Sequence, residues 1–296
     1  MSEIAQVATK VQSARSTTDT NRWPPNKPAP HPINLKLNTT AKYRIGAVGY
    51  LNTTPLVWGM LHGSQRELVD LSLSLPSECA EQVENGVTQI GLVPVAEVAR
   101  QGLEIVPGVG IACLGAVRSI LLFSRVPWPK VRTLAADASS RTSVQLARVI
   151  LRERYGVEPQ INAYQPDLDK MLKHAEAALI IGDPALRINP DHAPHQWLDL
   201  GQEWFSLTRL PMVFAVWAGK ARLPLHELSV LTRGSYEFGK ARIAEIAAAE
   251  YAGRGIAHEL ADAYLRRYIR FEIGPPEQRG LDSFFELAGL TEGAKL

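Results

Sequence analysis

Between residues 43 and 102 the chain repeats one local pattern three times: a short apolar run, a polar or proline-marked turn, then a helix-forming stretch. The first unit is KYRIGAVGYLNTTPLVWGML, Lys42 to Leu61. Ile45 to Val48 reads as a strand that breaks at Gly49. Thr54 suits a helix N-cap, Pro55 the first turn, and Leu56, Met60 and Leu61 recur at helical spacing. In the second unit VDLSLSL alternates like a strand, Pro76 and Ser77 open the helix ECAEQVEN, and Gly86 ends it. In the third, Gln89 to Val93 is a strand, and Pro94 starts a helix that Gly102 closes. Such a succession restricts the chain to an α/β fold with a largely parallel sheet.

The rhythm then changes. Gly110–Leu114 and Ser119–Ser124 read as two strands with no helix between them, and Val126–Pro129 (VPWP) reads as a crossing between domains. A second α/β series follows: strand Thr133–Asp137, turn ASSRTS, a helix ended by Gly156, a strand near Ile161, helix Asp167–Leu172, strand Ala177–Ile181 and the turn Gly182-Asp183-Pro184. Met212–Ala218 is a buried strand able to cross back. Pro224–Gly253, Ala257–Phe271 and Pro276–Leu287 read as helices without a strand. The expected organisation is a first lobe from 42–125 and 214–296, a second from 126–213, and a disordered Ser-, Thr-, Asn- and Pro-rich extension over 1–41. In open sheets of this kind ligands sit beyond the C-terminal strand ends or between lobes.

Several function classes are disfavoured. Thirty-two Lys and Arg against thirty Asp and Glu leave a formal charge of +2, without the clustered basic surplus expected of a nucleic-acid partner. No run approaches the ~18 apolar residues of a membrane span. Residues 1–41 have no apolar signal-peptide core, which makes a cytoplasmic location the expectation. Cys79 and Cys113 lack redox or metal spacing and read as buried reduced thiols. Gly108-Val109-Gly110 lacks the third glycine of a dinucleotide loop, and there is no GxxxxGK[ST], GxSxG or HExxH. His192 and His195 have no matching ligand set, so neither cofactor nor metal is expected.

Candidate chemistry collects on polar turns. Tyr50, Asn52, Thr53 and Thr54 bring more hydrogen-bonding capacity than one helix cap requires, on a turn with free N–H groups suited to a carboxylate or phosphate. Ser139-Ser140-Arg141-Thr142-Ser143 is a second such turn, with Ser140, Thr142 and Ser143 as anion contacts. Ser119 is either a plain strand-start serine beside a solvated Arg118 or a site residue. Ser77 and Glu78 suit a helix cap and dipole, with Ser77 also a candidate substrate contact. Gly182 and Asp183 have the same two readings, Asp183 as cap or as ligand. No histidine or lysine stands on these turns, so a proton transfer needs a carboxylate such as Glu78 or Asp183, or a base brought by the substrate.

Taken in order, RIGAVGYLNTTPL, LPSECAEQVENG, IGLVPVAEVAR, SILLFSRVPW, SSRTSVQLARVILRERYG, AALIIGDPAL and LGQEWFSLTRLPMVFAVWA resemble the chorismate dehydratases of menaquinone biosynthesis by the futalosine pathway. The resemblance spans roughly Tyr43 to Leu287. It implies a two-lobed type II periplasmic-binding-protein-like fold, with a ligand cleft between lobes and a helical C-terminal segment. It also implies loss of water from chorismate to give 3-[(1-carboxyvinyl)oxy]benzoate, with the substrate's enolpyruvyl carboxylate as base. Asn52 and Ser119 match the family's catalytic positions; Tyr50, Thr53, Ser77, Ser140, Thr142, Ser143, Gly182 and Asp183 are the accompanying substrate-binding candidates. The competing expectations are a 1,4-dihydroxy-6-naphthoate synthase and a non-catalytic small-anion-binding protein of the same fold.

Overall fold

The structure, a computed structural model, describes residues 42–290. The expected extension over 1–41 therefore lies outside the described residues. Two sheets organise the rest. The first contains β1 (Tyr43–Val48), β2 (Val69–Ser74), β3 (Ile90–Pro94), β4 (Glu104–Cys113), β10 (Met212–Gly219) and β11 (Arg270–Glu272), in the order β11-β4-β10-β3-β1-β2. The second contains β5 (Ile120–Ser124), β6 (Thr133–Asp137), β7 (Gln160–Tyr164), β8 (Ala177–Ile181) and β9 (Gln196–Asp199), in the order β7-β6-β8-β5-β9.

The three opening units form as their pattern requires. β1 pairs in parallel with β2 and β3, and helices α1 (Thr54–His62), α2 (Pro76–Glu84) and α3 (Val95–Gln101) follow the three strands. The sheet is nevertheless mixed, because β10 inserts antiparallel between β3 and β4. Ile45, Leu92, Val93 and Trp217 are fully buried, as strands covered on both faces demand.

Several local expectations are corrected. Thr54 is not the N-cap of α1: a 3₁₀ turn, Leu51–Thr53, runs directly into it, so the helical backbone begins earlier than Pro55 indicates. The crossing between lobes falls at residues 114–119 and not at VPWP. β5 pairs antiparallel with both β8 and β9, which makes it a central strand of the second sheet. The VPWP prolines instead shape a short turn inside that lobe, where buried Trp128 lies 5.9 Å from the ring of Tyr155. β9 and the helix α7 (Leu200–Thr208) add a unit to the second lobe where no element was expected.

The second lobe's remaining helices are α4 (Thr142–Tyr155), α5 (Leu168–His174) and α6 (Gly182–Leu186). The C-terminal segment packs α8 (Leu225–Lys240), α9 (Ile243–Glu250), α10 (His258–Ala263) and α11 (Pro275–Leu287) around the first sheet. It is not purely helical. A single π-helical turn, Tyr264–Tyr268, ends α10 with an Ile269 N–H to Tyr264 carbonyl bond, and β11 then joins β4. Cys79 and Cys113 are buried and free, as expected; burial pushes the Cys79 thiol up to about 12. Among the described residues no helix is long and apolar enough to cross a membrane.

Candidate active site

A cleft of about 590 Å³, counted to its open mouth, lies where the two lobes face each other. Its walls come from the C-terminal ends of β1, β3 and β8, the start of β5, the N-terminus of α4, and Phe214 and Ala215 on β10. Of the residues singled out in the sequence, the cleft brings together Tyr50, Asn52, Thr53, Ser119, Ser140, Thr142, Ser143 and Gly182. Ser77 and Asp183 do not line it.

Ser119 reaches the cleft through its backbone. It precedes β5, whose first residue Ile120 faces Ile181 across the ladder, so Ser119 stands beside the end of β8. Its carbonyl accepts the Gly182 N–H at 2.8 Å. Arg118 before it adopts a left-handed conformation, φ 64°, costly for a residue with a side chain. Asp199 holds that turn: its carboxylate accepts the N–H groups of Val117, Arg118, Gly201 and Gln202. The Arg118 guanidinium, expected in solvent, donates to the carbonyls of Ala185 and Ile188 at 3.1 and 2.6 Å. Arg118 is therefore a brace behind Ser119.

The Tyr50–Thr53 turn is fixed from three sides. Asp183 Oδ1 accepts the Leu51 N–H at 2.9 Å, so the anion at this helix start is the protein's own carboxylate. Asp183 Oδ2 is 2.5 Å from Arg254, which also donates to Glu250 and to the Gly49 carbonyl. Burial works against the Arg254 charge, but Asp183 and Glu250 outweigh it and its pKa is raised. Asp183 thus joins the second lobe to the first-lobe turn and is spent before substrate arrives. Glu78, the other carboxylate considered as a base, is exposed and caps α2 by accepting the Leu75 N–H at 3.0 Å. Ser77 lies one residue inside that helix and leaves only its neighbour Pro76 on the cleft wall.

Tyr50 packs across Gly182. That glycine has φ 63°, and a Cβ there would meet the Tyr50 ring at 2.6 Å, so both conformation and space require glycine. Burial raises the Tyr50 phenol to about 12, keeping it protonated.

Asn52 and Ser119 meet through a residue the sequence reading did not single out. Asn52 Nδ2 donates to the Tyr264 phenol oxygen at 3.1 Å, and that hydroxyl donates to Ser119 Oγ at 2.7 Å. Thr53 Oγ1 donates to Asn52 Oδ1 at 3.4 Å, defining the amide's orientation. Tyr264 lies in a stretch whose only sequence signal is helical, more than 140 residues from either partner, so no local pattern announces it.

The opposite wall is the start of α4. Thr142 Oγ1 accepts the Ala96 N–H and donates to the Phe214 carbonyl, both at 3.2 Å, and so ties α4 to the first lobe. Ser140 belongs to the cleft wall, and its Oγ is buried with no hydrogen-bond partner among the described residues. With Ser143 beside it, the helix N-terminus carries hydroxyls and N–H groups suited to one anionic group; Arg141, also on the wall, lies 3.9 Å from the Glu97 carboxylate.

Comparison with known proteins decides the family. Residues 43–289 match a family model described as menaquinone biosynthesis. The chain belongs to that family. It is 29% identical over 266 residues to the chorismate dehydratase of Thermus thermophilus, covering 84% of this chain and 96% of that protein. A protein from Archaeoglobus fulgidus superposes with a TM-score of 0.68 at 16% identity, covering 85% of this chain and 98% of that one. The periplasmic aliphatic sulphonate-binding protein of Escherichia coli superposes at 0.58 and 13% identity, covering 84% and 88%. At those identities the two structures speak for the fold alone, which is periplasmic-binding-protein-like.

Proposed function

We propose that the chain is a cytoplasmic chorismate dehydratase, a carbon–oxygen lyase acting in the futalosine route to menaquinone. The observation that carries this reading is the character of the cleft in a member of the menaquinone family. Its walls hold Asn52, Ser119 and a helix start suited to an anion, while Glu78 and Asp183, the carboxylates considered as bases, are engaged elsewhere. Such a cleft suits a dicarboxylate that brings its own base.

In the reaction, the enolpyruvyl carboxylate of chorismate takes the C3 proton. The C–H electron pair becomes the new ring double bond, the C4–O bond breaks, and the hydroxyl leaves as water by taking up the proton that the carboxylate removed from C3, which restores the carboxylate. Nothing is oxidised or reduced overall, and aromatisation supplies the driving force, which leaves the protein to orient groups and place charge. Asn52 donates to the leaving hydroxyl or to the side-chain carboxylate, and Ser119 donates to that carboxylate. The ring carboxylate sits at the start of α4, against Ser140 and Ser143. Tyr50 closes the cleft over Gly182.

Incubation of the purified protein with chorismate alone tests the reading. The expected product is lighter by one water and retains the enolpyruvyl group. Chorismate that binds but is not converted would instead make the chain a non-catalytic binding protein.

A further inference from the structure

The Tyr264 phenol has one proton to donate and is completely enclosed between the two side chains assigned to chemistry. An amide NH₂ can only donate, so the phenol oxygen accepts from Asn52 and its own proton goes to Ser119 Oγ. Ser119, having accepted that hydrogen bond, keeps its own hydroxyl hydrogen for the cleft. Asn52 likewise retains a second amide hydrogen. We propose that Tyr264 is a positioning residue that sets the direction of the Asn52–Tyr264–Ser119 hydrogen bonds, so that both outer side chains meet the substrate as donors.

Three further features support this role. Burial raises the Tyr264 pKa, so the phenol stays protonated and remains a donor. Its placement depends on the π-helical turn that it opens, a local distortion of the helix that recurs at functional sites. The chain of bonds also joins both sides of the cleft: Asn52 comes from the turn after β1, Ser119 from the start of β5, and Tyr264 from the C-terminal segment. Without the phenol, Ser119 is free to rotate its hydrogen away from the cleft, and Asn52 loses the acceptor that aims its amide. A linked chain of this kind acts as a unit, so the effects of removing its members do not multiply.

The role rests on the dehydratase reading, and the test separates the two. Turnover of chorismate is measured for the wild type, Tyr264→Phe, Ser119→Ala and the double variant, with circular dichroism confirming that each is folded. Tyr264→Phe, which keeps the ring and its packing, is expected to lower kcat about 10–100-fold with KM moved less than about threefold. In the Ser119→Ala background the same change is expected to cost less than about twofold. An active wild type with Tyr264→Phe within twofold of it overturns the role alone, as do losses that multiply in the double variant. A wild type without turnover overturns the dehydratase reading, and this role with it. Should Tyr264→Phe fail to fold, fluorotyrosine at position 264 retains ring and hydroxyl while altering the strength of the donor. An unchanged kcat in that protein overturns the role, and a change of threefold or more supports it.

Discussion

Replacing Asp183 by Asn and by Ala separates two jobs that one carboxylate performs. In the structure one oxygen anchors the Leu51 N–H and the other pairs with Arg254, with the Asp183 side chain 8% and that of Arg254 19% exposed. Breaking a buried ion pair from one side costs about 3–5 kcal/mol. Asn keeps an oxygen for Leu51, and Arg254 keeps Glu250 and the Gly49 carbonyl. Asp183→Asn should therefore cost less, about 2 kcal/mol, in the range of one charge-assisted hydrogen bond. Asp183→Ala also orphans the Leu51 N–H and should cost about 4 kcal/mol. For a domain of this size those values correspond to Tm losses of about 4–8 °C and about 8–16 °C. Thermal unfolding of both variants, with chorismate turnover at a permissive temperature, is the assay. Asp183→Asn should keep kcat within about threefold, whereas Asp183→Ala lets the turn bearing Asn52 drift and should lose at least about tenfold. If Asp183→Asn is as inactive as Asp183→Ala while staying folded, the charge itself takes part in the chemistry and the assignment of Asp183 to scaffolding is wrong.

Other perturbations follow from the same geometry. Asn52→Ala should lower kcat about 10²-fold or more without unfolding the protein, as steady-state kinetics will register. Gly182→Ala combines a left-handed backbone with a clash against Tyr50 and should cost about 2–4 kcal/mol in chemical denaturation. Ser140→Ala removes a hydroxyl with no partner among the described residues, so the ligand-free protein should lose no stability while KM for chorismate rises. Asp137 is buried, and one of its carboxylate oxygens has no partner among the described residues; burial raises its pKa, although Ser139 opposes the shift with two hydrogen bonds. A raised folded pKa favours the fold below the unfolded value of about 3.9, and that advantage is lost as pH rises through the folded value. Asp137→Asn should accordingly stabilise the protein at neutral pH, with the gain fading in acid-titrated melts.

The elements with strong local signals were legible. The three opening units, the strands at 133–137 and 177–181 and the helix ended by Gly156 rest on periodicity and punctuation, and they form where those signals stand. The two-lobed organisation was readable from the change of rhythm after the third unit, and the Tyr50–Thr53 and Ser139–Ser143 turns from their surplus of polar side chains; the resemblance added the fold family and the pairing of Asn52 with Ser119. What the sequence obscured was long-range pairing. β5 looked like a first-lobe strand because its affiliation is decided by β8 and β9, residues still to come in the chain. Asp183 and Glu78 looked like available acids because a carboxylate's partners, here Leu51 with Arg254 and Leu75, are known only in three dimensions. Tyr264 was silent for the same reason.

The bonds that complete the site span most of the chain: Asn52 and Tyr264 are separated by 212 positions, Ser119 and Tyr264 by 145, and Thr54 and Arg254 by 200. During synthesis from the N-terminus, the Tyr50–Thr53 turn leaves the ribosome long before the residues that hold it have been made. The apolar opening units have their own neighbours early, but the hydrogen bonds of Asn52 and Ser119 to Tyr264 have to await the last helices. A chain interrupted before the π-helical turn would retain Asn52 and Ser119 and lack the Tyr264 phenol between them. Acquisition of activity is thus coupled to completion of the polypeptide, and in refolding it should coincide with docking of the C-terminal segment rather than with formation of the first sheet.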